Sequence, residues 1–248
     1  MTDPRAQLML FDFDGTLCLG DDPVLAYAVA VEDRLRARGE STALRDNVRH
    51  ALNSNDLNSD DLGIVPGGAA ETATPQDGYQ LVQALGQAAG LDEAECSAAF
   101  RAARAQLIAG GLHRTDVHTP AGVQSLLAEL RQSAAVVLVT NAPAEGFSLW
   151  LEALGLSAAF DAVINDAAKP AGMPAAVTRA RSLTGISDSS PVLSIGDIWA
   201  NDLAPVAELG GTTVLIDRHA AGAGSPDHRV RSFAEAAPLL RQWVQNPR

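Results

Sequence analysis

Short apolar runs that end in polar residues recur along the chain and predict the strands of a sheet. The first, residues 8–11, is continuous enough for a strand buried on both faces. The others are residues 134–139, 162–164, 192–195, where Ser194 interrupts the run, and 214–216, which is the final predicted strand. Helical spacing of apolar residues separates these runs from residue 119 onward. This alternation predicts an α/β fold with a parallel sheet covered on both faces.

The helices of this alternating region are predicted at residues 145–154, 174–184 and 202–209, with an earlier one starting at Thr119 and Pro120 and a terminal one capped by Ser232 and Glu235. By contrast, residues 17–113 contain no convincing strand. They carry helical patterns at 23–38, 43–52 and 76–89 and a capping box at Asp92 and Glu95, with Asp22 as the cap of the first helix. A helical subdomain therefore follows the first strand directly. Residues 53–75 are polar and aperiodic, which predicts a flexible loop bordering the site.

Charge and composition narrow the range of partners. The 248 residues carry a formal charge of −12, which disfavours nucleic acid and requires a local positive patch for any anionic substrate. Lys169 is the single lysine among 18 basic residues, which suggests a site that needs a compact point charge. Two cysteines, Cys18 and Cys96, and the lack of a leader or membrane-span pattern lead us to expect a soluble cytoplasmic protein that binds no membrane.

Polar side chains follow three of the predicted strands. The sets are Asp12 with Asp14, Thr140 with Asn141, and Asp197 with Asp202. A lone Asp-x-Asp is more often an acidic strand end followed by a solvated turn. Three such sets, however, lie at the carboxyl ends of parallel strands, which share one edge of the sheet. We therefore expect these side chains to converge.

Convergence of carboxylates requires a cation. Two carboxylates repel by roughly 4 kcal/mol at about 4 Å and an effective dielectric constant of about 20. Oxygen ligands suit a hard divalent ion, and Mg²⁺ fits a site of a few carboxylates, waters and a substrate phosphate. Lys169 could supply the remaining positive charge.

Four ordered motifs resemble those of the haloacid dehalogenase (HAD) superfamily. They are DFDGT at 12–16, VTN at 139–141, KP at 169–170 and GDIWAND at 196–202. The resemblance implies a HAD-like (Rossmannoid) core formed by residues 1–16 and 118–248. It also implies a helical cap domain at residues 17–117, with hinge linkers near 17–22 and 110–117.

The resemblance further implies the chemistry of a phosphatase. Asp12 would be the nucleophile that forms an aspartyl-phosphate. Asp14 would protonate the leaving oxygen and then activate water. Lys169 would complete the catalytic group and neutralise the charge of the phosphoryl oxygens.

Binding roles are implied for the remaining strand-end residues. Mg²⁺ would be held by Asp12, the backbone carbonyl of Asp14 and Asp197, with Asp202 outside these inner ligands. The phosphate would be bound by Thr140, Asn141 and Lys169.

The presence of Asp14 also indicates which of two activities of the family, phosphate-ester hydrolysis or dehalogenation, to expect. Members that cleave carbon–halogen bonds have no alkoxide to protonate and typically lack this second aspartate, so its presence favours hydrolysis of a small phosphorylated metabolite over dehalogenation. A phosphomutase, a dehalogenase and a non-catalytic binding protein on the same fold remain the alternatives. The sequence names neither the substrate nor the oligomeric state.

Overall fold

The chain forms two compact units. The computed structural model describes residues 5–40, 42–54, 56–57 and 75–246. The first unit comprises Met1–Leu19 and His118–Arg248, and the second comprises Gly20–Val117. Most of the predicted flexible loop at 53–75, namely residues 58–74, lies outside the described residues.

The first unit is built on a parallel sheet, which confirms the predicted α/β class. Among the described residues its strands are β1 (Leu8–Phe11), β2 (Ala135–Val139), β3 (Ala162–Ile164), β4 (Val192–Gly196), β5 (Thr212–Ile216) and β6 (His228–Val230). Their order is β3-β2-β1-β4-β5-β6, and every neighbouring pair is parallel. In this register Phe11, at the end of β1, lies opposite Leu138 and Ile195. The first strand is therefore central, with the ends of β2 and β4 on either side.

Strand β6 corrects the prediction that the strand at 214–216 is the last one. It pairs with β5, with Val230 opposite Ile216. Only Val230 of its three residues is buried, whereas His228 and Arg229 are exposed. A short edge strand of this composition has no apolar run, so the hydrophobic pattern does not mark it.

The described residues of the second unit contain helices and no strand. The helices are α1 (Asp22–Ala37), α2 (Leu44–Ser54), α3 (Gly78–Ala88) and α4 (Glu93–Gly110), followed by a short 3-10 turn at Leu112–Arg114. Helix α4 opens with the predicted capping box of Asp92 and Glu95. Asp22 lies in the first turn of α1 rather than capping it, because the backbone N–H groups of Asp21 and Asp22 donate to the carboxylate of Asp116. No helix in the described part of the chain is both long and apolar enough to cross a membrane.

The helices of the first unit cover the sheet and differ from prediction at several starting points. They are α5 (Val123–Leu130), α6 (Phe147–Ala153), α7 (Met173–Thr184), α8 (Ala204–Glu208) and α9 (Phe233–Gln245). Helix α5 begins after Gly122, whose φ of 76° interrupts the helical path expected from Thr119. The predicted helix at 202–209 is preceded by a π-helical turn, Trp199–Leu203. Asp202 shapes this turn, since its carboxylate accepts a hydrogen bond from the backbone N–H of Ile198.

Candidate active site

The turn after β1 is anchored by Phe13, which is fully buried. Its ring packs edge-on against Phe147 at 4.7 Å and Trp150 at 6.5 Å between ring centroids. The backbone N–H of Asp12 donates to the carbonyl oxygen of Ile195 at 3.0 Å. The residue between the two acidic side chains is thus a core residue, and this fixes the turn that carries them.

Asp14 occupies this turn rather than an extension of the strand. Strand β1 ends at Phe11, and Asp14 forms an isolated bridge with Cys18, closed by a 2.9 Å hydrogen bond from the N–H of Gly15 to the Cys18 carbonyl. The side chain of Asp14 is half-buried. It is not one of the three carboxylates of the compact cluster described next. Its predicted roles, as an acid and base and as a metal ligand through its carbonyl, stay predictions.

Three aspartates converge at the edge of the sheet. Carboxylate oxygens of Asp12, Asp197 and Asp202 all lie within 4.8 Å of one another. Asp12 is 9% exposed, Asp197 4% and Asp202 2%. Three buried carboxylates this close repel strongly, so the cluster depends on positive charge nearby.

Lys169 supplies part of that charge. Its Nζ donates to Oδ1 of Asp12 and to Oδ1 of Asp202, both at 2.6 Å, and to the carbonyl oxygen of Val139 at 3.1 Å. Burial lowers the pKa of Lys169, but the charges of Asp12 and Asp202 outweigh it and raise the pKa well above its ordinary value. The single lysine of the chain is therefore a buried, protonated point charge inside the cluster.

Asp202 is engaged through both of its oxygens. Oδ1 accepts from Lys169 and Oδ2 accepts from the N–H of Ile198 at 3.1 Å. Burial and the neighbouring Asp12 raise the pKa of Asp202 to about 7, against the opposing effects of Lys169 and Ile198. At Gly196 a Cβ atom would lie 2.5 Å from both Cβ and Oδ2 of Asp202. The close approach of Asp202 to the strand therefore requires glycine there.

Thr140 and Asn141 follow β2, as predicted, and have different surroundings. Thr140 is buried, and its Oγ1 accepts a hydrogen bond from the N–H of Ala142 at 3.0 Å. A hydroxyl that accepts one bond still carries a proton that it can donate to a ligand. Asn141 is exposed, and its side-chain amide is bonded to the main chain of Lys169. The predicted binding of phosphate by Asn141 stays a prediction.

Arg218 is a site residue that our reading of the sequence missed. It follows β5, and its Nη2 donates to Oδ2 of Asp197 at 3.2 Å. Gly15, with φ of 84°, makes room for this pair, since a Cβ there would lie 2.0 Å from the same carboxylate oxygen. The signal was available, because Arg218 stands at a strand end just as the predicted site residues do.

The donor set of the cluster fits a hard cation. Lys169 and Arg218 provide two positive charges against three carboxylates. Oδ2 of Asp12 is buried and, within the described part of the chain, has no hydrogen-bond partner. A buried carboxylate oxygen without a donor is unfavourable unless it binds a ligand. Since the available donors are all oxygens, the residues present fit Mg²⁺.

Comparison with protein families gives one match over most of the chain. A model of the haloacid dehalogenase-like hydrolases matches residues 6–210. No curated protein is similar enough in sequence to be counted as a relative.

Solved structures share the fold at low sequence identity. A HAD phosphatase from Thermococcus onnurineus is 20% identical, with a TM-score of 0.53 and coverage of 94% of this chain and 97% of that chain. A 2-haloacid dehalogenase from Pseudomonas syringae pv. Tomato is 20% identical, with a TM-score of 0.52 and coverage of 96% and 99%. The magnesium-bound YfnB protein of Bacillus subtilis is 18% identical, with a TM-score of 0.55 and coverage of 96% and 99%.

Proposed function

The chain belongs to the haloacid dehalogenase-like hydrolases, and from that membership we propose that it is a Mg²⁺-dependent phosphatase of a small phosphomonoester. The observation that carries the proposal is the environment of Asp12. One of its oxygens is held by Lys169, while the other is buried without a hydrogen-bond donor among the described residues. A carboxylate oriented in this way is suited to act as a nucleophile.

In the proposed reaction Asp12 attacks the phosphorus atom. A bond forms between an Asp12 oxygen and phosphorus, and the bond from phosphorus to the leaving oxygen breaks. Asp14 donates its proton to that leaving oxygen, which departs as an alcohol. Asp14 then takes a proton from a water molecule that attacks the aspartyl-phosphate, which releases phosphate and restores Asp12.

The charge of the transferred phosphoryl group would be balanced by fixed groups at the sheet edge. The hydroxyl of Thr140 would donate to the phosphoryl oxygens. Lys169, whose three N–H donors are already engaged, would stabilise them through its positive charge. Mg²⁺, held by Asp12, the carbonyl of Asp14 and Asp197, would supply further electrostatic stabilisation of that charge. Asp202, with both oxygens engaged, would orient Lys169.

The helical unit is proposed to act as a cap that excludes water and selects the substrate. In support, the chain leaves the core at Leu19, directly after the turn that bears Asp12 and Asp14, and returns at His118. We propose hinge linkers near residues 17–22 and 110–117. The proposed partner is a small phosphorylated metabolite rather than nucleic acid or a membrane, in the cytoplasm, where Cys18 and Cys96 stay reduced.

Dehalogenation is the second candidate, because one structural neighbour is a 2-haloacid dehalogenase. Asp14 favours the phosphatase. A halide leaving group needs no proton, whereas an alkoxide leaving group does, and Asp14 lies two residues from the proposed nucleophile.

The proposal is tested by steady-state turnover of an aryl phosphate, a panel of phosphorylated metabolites and a 2-haloacid. We expect phosphate release with Mg²⁺, and its loss with chelator or in Asp12→Asn. Asp188→Asn, which removes an exposed carboxylate, is the matched control. Unchanged turnover in Asp12→Asn would exclude Asp12 as the nucleophile. Turnover of the 2-haloacid alone would identify a dehalogenase. Transfer of the phosphoryl group to a sugar hydroxyl, without release of phosphate, would identify a phosphomutase.

A further inference from the structure

The side-chain amide of Asn141 makes two hydrogen bonds to the main chain of Lys169. Its Oδ1 accepts a hydrogen bond from the backbone N–H of Lys169 at 2.7 Å, and its Nδ2 donates to the backbone carbonyl of Lys169 at 3.1 Å. Asn141 accepts one of these bonds through its amide oxygen and donates the other through its amide nitrogen. Because each atom has its own partner, the orientation of the amide is fixed. The partners are 28 residues apart in the chain.

The segment that leads to Lys169 needs such support. Asp166 and Ala168 have φ values of 47° and 52°. Aspartate tolerates this left-handed region, whereas it is unfavourable for alanine. The backbone N–H of Ala167 donates to the carbonyl of Thr140 at 3.0 Å. Strained backbone persists only where its surroundings over-determine it. The bonds from the end of β2, including those of Asn141, are such surroundings.

Lys169 must be held at its main chain because its side chain is flexible. A flexible stem of four carbon atoms separates its Cα from Nζ, which lies 2.6 Å from Oδ1 of Asp12 and 2.6 Å from Oδ1 of Asp202. A site is maintained only if the groups that carry its side chains are themselves held in place. We propose that Asn141 is a positioning residue that fixes the main chain of Lys169 so that its amine meets the phosphoryl group. The proposal deepens the proposed function and rests on it for the substrate.

The kinetic test compares Asn141→Ala with a matched control, Asn165→Ala. Asn165 lies in the loop that follows β3 and leads to Lys169, and its side-chain amide donates to the backbone carbonyl of Ala142 at 3.3 Å. Loss of positioning commonly lowers activity by about 10- to 100-fold. We expect that loss in kcat/KM for Asn141→Ala and less than about twofold for Asn165→Ala. Because Asn141 acts through Lys169, the double variant that carries both Asn141→Ala and Lys169→Ala should have a kcat/KM no lower than that of Lys169→Ala alone.

A second measurement is independent of turnover. Since Lys169 is the only lysine, protein labelled with ¹³C at the lysine ε-carbon gives one signal from this site. In the metal-free protein we expect that signal to move toward the shift of free lysine, or to split, in Asn141→Ala. It should stay in place in Asn165→Ala. Thermal unfolding of each variant shows that the comparison is made on folded protein.

The outcomes separate the positioning role from the proposed function. An unchanged lysine signal in Asn141→Ala overturns the proposal, even if activity falls, because the loss would then reflect direct contact with phosphate. A double variant clearly slower than Lys169→Ala overturns it as well. If the wild-type protein releases no phosphate from any ester, the proposed function fails, and the lysine signal still decides whether Asn141 positions Lys169.

Discussion

Nη2 of Arg218 donates to Oδ2 of Asp197 at 3.2 Å, which joins the end of β5 to the carboxylate at the end of β4. The side chain of Asp197 is almost fully buried, whereas that of Arg218 is 30% exposed. Lys169 follows β3, which lies on the other side of β1 from β5 in the strand order, so the two positive charges come from opposite sides of the central strand. Arg218 and a metal ion would offset the same excess of negative charge.

Arg218→Ala should make the protein more dependent on Mg²⁺. Loss of this partner to a buried carboxylate should lower the free energy of unfolding of the metal-free protein by about 1–3 kcal/mol. Mg²⁺ should then raise the melting temperature of the variant more than that of the wild type, because it relieves more repulsion. Differential scanning calorimetry with and without Mg²⁺ measures both effects. Arg231→Ala, at an exposed position, is the control, and an equal Mg²⁺ response in all three proteins would contradict the prediction.

Asp14→Asn should slow the hydrolysis of phosphate esters to an extent that depends on the leaving group. An amide cannot donate a carboxylic proton, so kcat/KM for an alkyl phosphate, which reports the step that forms the aspartyl-phosphate, should fall by about 10²- to 10⁴-fold. An aryl phosphate with an acidic leaving group should lose much less, because its oxygen leaves without protonation. The measurement is kcat/KM across a series of esters with leaving groups of graded pKa, because hydrolysis of the shared aspartyl-phosphate does not enter that ratio. Equal losses on all esters would show that Asp14 is not the acid.

Gly196→Ala should destabilise the site through Asp202. The new Cβ would lie 2.5 Å from two atoms of that side chain, and relief of such overpacking costs about 1–3 kcal/mol. Displacement of Asp202 would also loosen Lys169, so kcat/KM should fall. Urea unfolding measures the stability, and Gly110→Ala is the control because a Cβ at Gly110 meets nothing within 4 Å. Equal stability of the two variants would be inconsistent with the close approach at Gly196.

Asp161 should make the first unit sensitive to acid. Burial raises the pKa of Asp161, but Arg131, the N–H of Val136 and Arg5 together hold it below the ordinary value. A lowered folded-state pKa means that the stabilisation is present above the unfolded value of about 3.9 and is lost as pH falls through the folded value. The stability difference between wild type and Asp161→Asn should therefore stay constant above about pH 5 and shrink progressively as the pH falls below that value.

Urea unfolding at a series of pH values tests this prediction. Asp188→Asn serves as the control, since Asp188 is exposed. A wild-type advantage over Asp161→Asn that stayed constant down to the lowest pH would contradict the assigned ion pairs with Arg5 and Arg131.

The sheet was predictable to the extent that its strands are buried. Strands β1, β2 and β4 are buried at every residue; β1 and β2 appear as continuous apolar runs, and β4 as an apolar run interrupted by Ser194. Strand β6 was missed because only Val230 faces the core. The start of α5 was misplaced because the left-handed conformation of Gly122, which sets it, is a property of the backbone. Burial leaves a pattern in the sequence, whereas a local backbone conformation does so only weakly.

For the site, the sequence by itself determined which chemical groups stand at the strand ends, and the parallel topology implied that they share one edge of the sheet. Only the tertiary structure decided how these groups pair. It set Lys169 between Asp12 and Asp202, directed Arg218 to Asp197 and turned the amide of Asn141 onto the main chain of Lys169. The physical reason is that strand periodicity positions a Cα atom, while the direction of its side chain depends on donors and acceptors contributed by distant parts of the chain.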